Sequence, residues 1–186
     1  MKKILRYFTI VPALAALLLC GSCNWTTDTS TNEQNFSFDT GEMTYLGAVD
    51  DDDTTKGSMW EIHMYTEGDI EAYFVLVTEY NEEYVPAGTY TNATTMNPLK
   101  IGTYLPGSAD ATGTPQYTYV ITGTDSQYIY YSVLDNGTAK LGREVTYSEK
   151  GEKIVTYTMT SSFQLNNTII YVNFDGTIEE DPLYDD

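Results

Sequence analysis

The chain has 186 residues, the size of one domain. Hydrophobic residues make up 41% and charged residues 19%, which excludes a disordered polyampholyte and a multi-pass membrane protein. Asp and Glu total 27 against 9 Lys and Arg, a net charge of -18, so nucleic acid, anionic headgroups and sulfated glycans are poor partners unless a divalent cation intervenes.

Residues 1–22 read as an export signal rather than as part of the fold. Lys2, Lys3 and Arg6 form a positive start, and Ile10 to Leu19 is an apolar run broken only by Pro12. That run is shorter than the roughly 20 residues a membrane-spanning helix needs. It ends in Leu19-Cys20-Gly21-Ser22-Cys23. The small pair Gly21-Ser22 before a cysteine resembles the lipobox of bacterial lipoproteins, where signal peptidase II cuts before a cysteine that becomes diacylated. Cys23 fits that position better than Cys20, because Leu19 is bulky for the cleavage pocket. Cys20 and Cys23 are the only cysteines, so acylation at Cys23 leaves the mature chain without a free thiol, disulfide or thiolate metal site. A chain beginning at Cys23 keeps 6 basic and 27 acidic residues, a net charge of -21. Each buried acyl methylene contributes about 0.8 kcal/mol, so two or three acyl chains hold a protein on a membrane. Residues 23–40 read as the lipidated cysteine and a flexible tether, polar and Thr-rich as far as Gln34. Trp25 is either an interfacial anchor or an incidental linker aromatic.

Residues 41–180 read as one all-β domain of eight or nine strands, an antiparallel β-sandwich or a barrel-like meander. Thr44 to Val49 is a weak strand, followed by the four-carboxylate run Asp50-Asp51-Asp52-Asp53. That run lacks the spacing of a calcium-binding helix-loop-helix and reads as a solvated loop. Trp60, Ile62 and Met64 alternate with Glu61, His63 and Tyr65, the period of a half-buried strand with Trp60 in the core. Glu67-Gly68-Asp69 is a turn into Ile70 to Tyr80, which is apolar on both faces and reads as a central strand. Residues 93–116 carry Pro98, Pro106, Pro115, Gly102, Gly107 and Gly113 and read as a long connection. Tyr117 to Thr122 is a weak strand. From Tyr128 onward four strands form an antiparallel meander, with turns at Asp135-Asn136-Gly137, Glu149 to Glu152 and Asn166-Asn167. Gly142 and Gly176 inside strand patterns read as bulges or close backbone approaches. Residues 181–186 are an acidic tail.

Four segments carry a family resemblance: Tyr45-Leu46-Gly47, Val85-Pro86-Ala87-Gly88-Thr89-Tyr90-Thr91, Leu141-Gly142-Arg143-Glu144-Val145 and Phe174-Asp175-Gly176-Thr177-Ile178. Their order and spacing over residues 44–180 resemble poorly characterised outer-membrane lipoproteins of Bacteroidetes, which have a lipobox and a single antiparallel β domain. The resemblance implies surface anchoring and a role in glycan capture or envelope contacts. It supplies no catalytic residues.

Little in the sequence points to catalysis, and the chain reads as a non-enzyme without cofactor or metal. The single histidine, His63, lies on a strand with Glu61 and Tyr65 and has no nucleophile motif to serve. Glu71 and Glu79 bracket one strand at opposite ends, a poor pair for glycosidase chemistry. Tyrosine is the unusual component, with 17 in the chain. Tyr117 and Tyr119 cluster in one strand and Tyr128, Tyr130 and Tyr131 in another, so these five are candidate ligand-contact aromatics. Tyrosine offers a flat apolar face and a hydroxyl at low entropy cost, which suits sugars and protein partners. β propensity explains the same residues without a ligand. Three readings follow: a surface binding module, for which glycans are the candidate ligand; a structural envelope subunit; and a calycin-like barrel with an apolar ligand among Phe74, Leu76, Val155 and Met159. In the first reading the partners are a membrane, held through the lipid on the outer membrane, and a glycan or envelope protein, with no nucleic acid.

Overall fold

A computed structural model describes residues 31–66, 70–124 and 129–181. The signal, Cys20, Cys23, Trp25, the Glu67-Gly68-Asp69 turn, Tyr128 and residues 182–186 of the acidic tail lie outside the described residues.

Twelve strands are described: β1 (Asn32–Ala48), β2 (Ser58–Tyr65), β3 (Glu71–Thr78), β4 (Gly88–Asn92), β5 (Thr103–Tyr104), β6 (Ser108–Ala109), β7 (Pro115–Gln116), β8 (Tyr119–Thr124), β9 (Ile129–Val133), β10 (Gly137–Tyr147), β11 (Lys153–Leu165) and β12 (Thr168–Asp181). Eight close into a barrel in the order β1-β2-β3-β5-β4-β10-β11-β12, and β12 returns to β1. The β8-β9 pair branches from β3, whose outer edge is shared. Glu71 to Tyr73 pairs with β8, and Leu76 and Val77 pair with β5. β6 and β7 form a separate small pair.

Closure is parallel. β1 and β12, from opposite ends of the chain, run side by side from Asn32 opposite Thr168 to Thr44 opposite Asp181. The β4–β5 seam is also parallel, and the other pairings are antiparallel. The fold is therefore all-β and barrel-like, but not a pure meander.

Period-two alternation puts the apolar residues inside, where an eight-stranded barrel has just enough room for side chains. Trp60, Ile62, Met64, Phe74, Leu76, Tyr104, Tyr157, Met159, Phe163 and Ile170 are almost fully buried there. Each large apolar side chain so buried contributes about 1.5–3 kcal/mol. β3 is buried on both faces, as its sequence indicates. Ala72, Phe74 and Leu76 face inward, while Val75 and Val77 pack outward against Ala93 and Leu105.

One barrel end is closed by the segment after β3. Trp60 Nε1 donates to the Asn81 carbonyl (3.1 Å), and the Asn81 N–H donates to Ser58 Oγ (3.0 Å). Val85 is fully buried, and the Tyr90 hydroxyl donates back to the Pro86 carbonyl (2.6 Å). The Arg143 guanidinium lies over the Tyr84 ring (4.1 Å) and donates through Nε to the Tyr157 hydroxyl (3.0 Å). Val85, just before β4, thus packs into the core from the segment that joins β3 to β4.

Three expectations change. Residues 32–39, read as tether, are the first half of β1, because Phe36 and Phe38 turn inward while only their polar neighbours are exposed. The 93–116 connection contains β5, β6 and β7 and buries Tyr104 and Leu105, covering β3. β9 and β10 are not neighbours, so the expected four-stranded meander does not form. β9 pairs with β8, and β10 lies between β4 and β11. Gly137 is glycine because it abuts β11: an added Cβ would collide with the Ser162 carbonyl oxygen. It serves close packing rather than a hairpin turn.

Candidate functional site

The outward residues of the β1-β2-β3-β8 wall form one cross-strand row. Glu42 on β1 lies opposite His63 on β2, His63 opposite Tyr73 on β3, and Tyr73 opposite Tyr119 on β8. This is the wet face of the alternation that buries Ile62, Met64, Ala72 and Phe74 on the other side. The inward residues anchor the row on the packed core of the barrel.

The rings stack along the row. His63 and Tyr73 have centroids 4.2 Å apart and planes 10° apart, and Tyr73 and Tyr119 follow at 4.7 Å and 22°. Tyr131 meets Tyr119 edge-on at 6.5 Å, and its hydroxyl donates to the Gly113 carbonyl (2.7 Å). Tyr65 tilts against His63 at 5.1 Å. The stacked rings cover one another's faces, and His63, Tyr73, Tyr119 and Tyr131 are all half-buried.

His63 is held between two carboxylates. Nδ1 lies 3.0 Å from Glu42 Oε1 and Nε2 lies 3.2 Å from Glu71 Oε2. A neutral imidazole carries one N–H, so its tautomer decides which of the two carboxylates accepts from the ring. Glu71 Oε2 also accepts the Tyr73 hydroxyl (2.7 Å). Burial raises the Glu61 carboxyl above its ordinary range, opposed by His63 and reinforced by Glu42. Burial, and then the hydrogen bond donated to Glu71, raise the Tyr73 phenol. Burial pushes the Tyr119 phenol up to about 12, with Glu61 and Glu71 adding to the shift.

Of the five tyrosines singled out from the sequence, the structure brings Tyr119 and Tyr131 into this row. Tyr117 leads into β8 with its ring exposed and φ at 64°, a left-handed conformation uncommon for a bulky residue. Tyr130 is exposed on β9, and Tyr128 lies outside the described residues. Sequence reasoning did not find Glu42, Glu71 or Tyr73 as partners of His63. Only the register of β1, β2 and β3 brings them together.

The Asp50 to Asp53 run is a loop that folds around its own cation. Asp50 and Asp53 flank the Lys56 ammonium at 2.5 Å and 3.8 Å, and Asp53 also accepts from the Thr55 N–H (3.1 Å). Hydrogen bonding to Lys56 holds Asp50 below the ordinary carboxylate range, and to Thr55 holds Asp53 there. Among the described residues, no group of three or more His, Cys, Asp or Glu is placed to hold a metal ion. A concavity of about 730 Å³ lies beside Tyr65 and is lined by Ser37, Phe38, Asp39, Thr40, Tyr65 and Thr66.

The fold and this face define a closed eight-stranded β-barrel with a tyrosine, histidine and glutamate row on its outer wall. No family model, curated protein or solved structure matches the chain.

Proposed function

We propose that the protein is a lipid-anchored binding module of the outer membrane, held through Cys23, with the outer-wall row as its ligand face. The observation that carries this reading is the Glu42–His63–Tyr73–Tyr119 row, which spans four strands on the solvent side of a packed barrel. Carboxylates and phenol hydroxyls at fixed spacing match the hydroxyls of a neutral glycan. Outside that row, Tyr117 just before β8 and Tyr130 on β9 also expose their rings. Such a module works by binding alone and needs no catalytic group.

An envelope-spacer role is the second reading. It is favoured by the tyrosines that serve packing, since Tyr45, Tyr90, Tyr104 and Tyr157 are buried. The apolar-ligand reading has less support, because Phe74, Leu76 and Met159 are buried in one packed cluster with Val155 against it.

The test is a thermal-shift panel on the purified protein with neutral and acidic glycans, with and without calcium. A native-state ligand stabilises by about 2.7 kcal/mol at a hundredfold excess over Kd. A saturable shift with one neutral glycan, lost in Tyr119→Ala and Glu42→Gln, is the expected result. A flat panel favours the envelope-spacer role, and a shift with calcium alone redirects attention to Asp50–Asp53.

A further inference from the structure

The seam between β1 and β2 opens halfway along the barrel. β1 pairs with β12 from Asn32, but it pairs with β2 only from Thr40, opposite Tyr65. Among the described residues, Asn32–Phe38 is therefore paired with β12 alone and Asp39 with neither neighbour, so Asn32–Asp39 is an edge open on the β2 side. The concavity beside Tyr65 begins at this opening, with Ser37, Phe38, Asp39 and Thr40 on one wall and Tyr65 and Thr66 on the other.

We propose that the open edge Asn32–Asp39 is a strand-addition site for an extended basic peptide, continuing the sheet on the side where β2 stops. An unpaired edge offers a row of backbone donors and acceptors, and added strands bind through them while pockets select side chains. Natural edges are protected by lysine, proline or inward-pointing charge. Asn32–Asp39 contains no Lys, Arg or Pro, its only charges are Glu33 and Asp39, and its inward residues are Phe36 and Phe38. The eight residues also lack the length limit that protects many edges, since strands average about 5–6 residues.

Charge selects the occupant. No Lys or Arg occurs in residues 7–55 or 154–186, so β1 and β12 carry only negative charge, from Glu33, Asp39 and Glu42 on the β1 side. A second copy of the chain, at net charge -18, meets like charge along the whole edge. A lysine-bearing strand meets the opposite sign and places one side chain per two residues over the concavity.

The test uses the full protein in detergent and a labelled peptide of about ten alternating Lys and Val residues, long enough at about 3.3 Å per residue to span the edge. A second peptide has Pro in place of Val, keeping the charge and removing alternate N–H donors. Saturable binding of the first peptide, at least about tenfold tighter than of the second, is expected. Ser37 is exposed, so Ser37→Lys leaves the melting temperature unchanged and weakens binding by about tenfold, as lysine does at natural edges. Glu83→Lys, exposed in the segment that joins β3 to β4, changes binding by less than about twofold. Equal binding of the two peptides, no saturable binding, or Ser37→Lys binding as the parent does would each overturn the proposal. Sedimentation showing a dimer that Ser37→Lys abolishes would overturn it too, by giving the edge to a second copy.

Discussion

His63 and Tyr73 sit directly opposite each other on β2 and β3 and stack at 4.2 Å with planes 10° apart. The same imidazole contacts a carboxylate at each nitrogen, Glu42 on β1 and Glu71 on β3. One side chain therefore ties three strands on the outer wall, and the row depends on it for alignment. Aromatic pairs contribute about 0.5–1.5 kcal/mol beyond their buried area. A double-mutant cycle with His63→Gln and Tyr73→Leu, read by urea unfolding, is expected to return a coupling of that size. A coupling near zero would mean that the two rings are neighbours without energetic consequence.

Glu61 lies on the same strand and experiences the opposite balance. Its folded-state carboxyl is raised above the ordinary value of 4.5, chiefly by burial. A raised acid contributes stability that is present below the unfolded pKa and lost as pH rises through the folded one. At neutral pH the ionised Glu61 therefore costs stability. Glu61→Gln is expected to unfold at a higher urea concentration than the parent at pH 7, with the difference vanishing below about pH 4. An unchanged difference across that range would locate the effect in packing rather than ionisation.

The alternation of Trp60, Ile62 and Met64 with Glu61, His63 and Tyr65 was legible because a strand's two faces are encoded by adjacent residues. The doubly apolar β3 was legible for the same reason. The closing strand pair was not. Nothing in Asn32-Glu33-Gln34-Asn35 announces a partner at Thr168 to Tyr171, since the pairing joins segments more than 130 residues apart and leaves no local pattern. β5 has only Thr103 and Tyr104 and hides among prolines and glycines. The candidate site was half legible. Tyr119 and Tyr131 stand out by composition, but their link to His63 runs through Tyr73 and Glu71 and needs the register of β3 against both neighbours. Gly137 misled because the residue that suits a tight turn also suits a close strand approach.

Tyr104 and Tyr119 make the alkaline behaviour distinctive. Burial pushes both phenols up to about 12, from opposite sides of the barrel wall. Their ordinary value is about 10, so the unfolded chain ionises first. Their contribution to stability is complete below about pH 10 and is lost as pH rises toward 12. A pH titration of tyrosinate absorbance is expected to show a fast phase from the exposed rings and a delayed phase coincident with unfolding. Tyr104→Phe removes one delayed group, and also the hydrogen bond to the Gly137 carbonyl (3.3 Å), without emptying the core. A single unperturbed transition for all tyrosines would contradict the burial of Tyr104 and the half-burial of Tyr119.

Closure of the barrel passes through Gly176. The β1–β12 register slips between Phe38 and Thr40, and at that irregularity the Asp39 carbonyl oxygen lies against Gly176. An added Cβ there would collide with backbone, which cannot swing aside as a flexible side chain can. The neighbouring pairs Phe38–Phe174 and Thr40–Thr177 hold the two strands on either side of the slip. Gly176→Ala must therefore part the closing seam or shift Phe174 and Ile178, both of which are buried. Overpacking of this kind costs about 1–3 kcal/mol. A urea midpoint lowered by that amount with an unchanged slope is expected, because the surface exposed on unfolding stays the same. Gly151→Ala is the contrasting change. Gly151 lies in the loop between β10 and β11 with open space around it, but its φ of 81° strains any other residue. Its cost comes from backbone conformation alone and leaves the β1–β12 seam intact. Hydrogen exchange distinguishes the two: the amides that bond across the β1–β12 seam on either side of the slip lose protection in Gly176→Ala and keep it in Gly151→Ala.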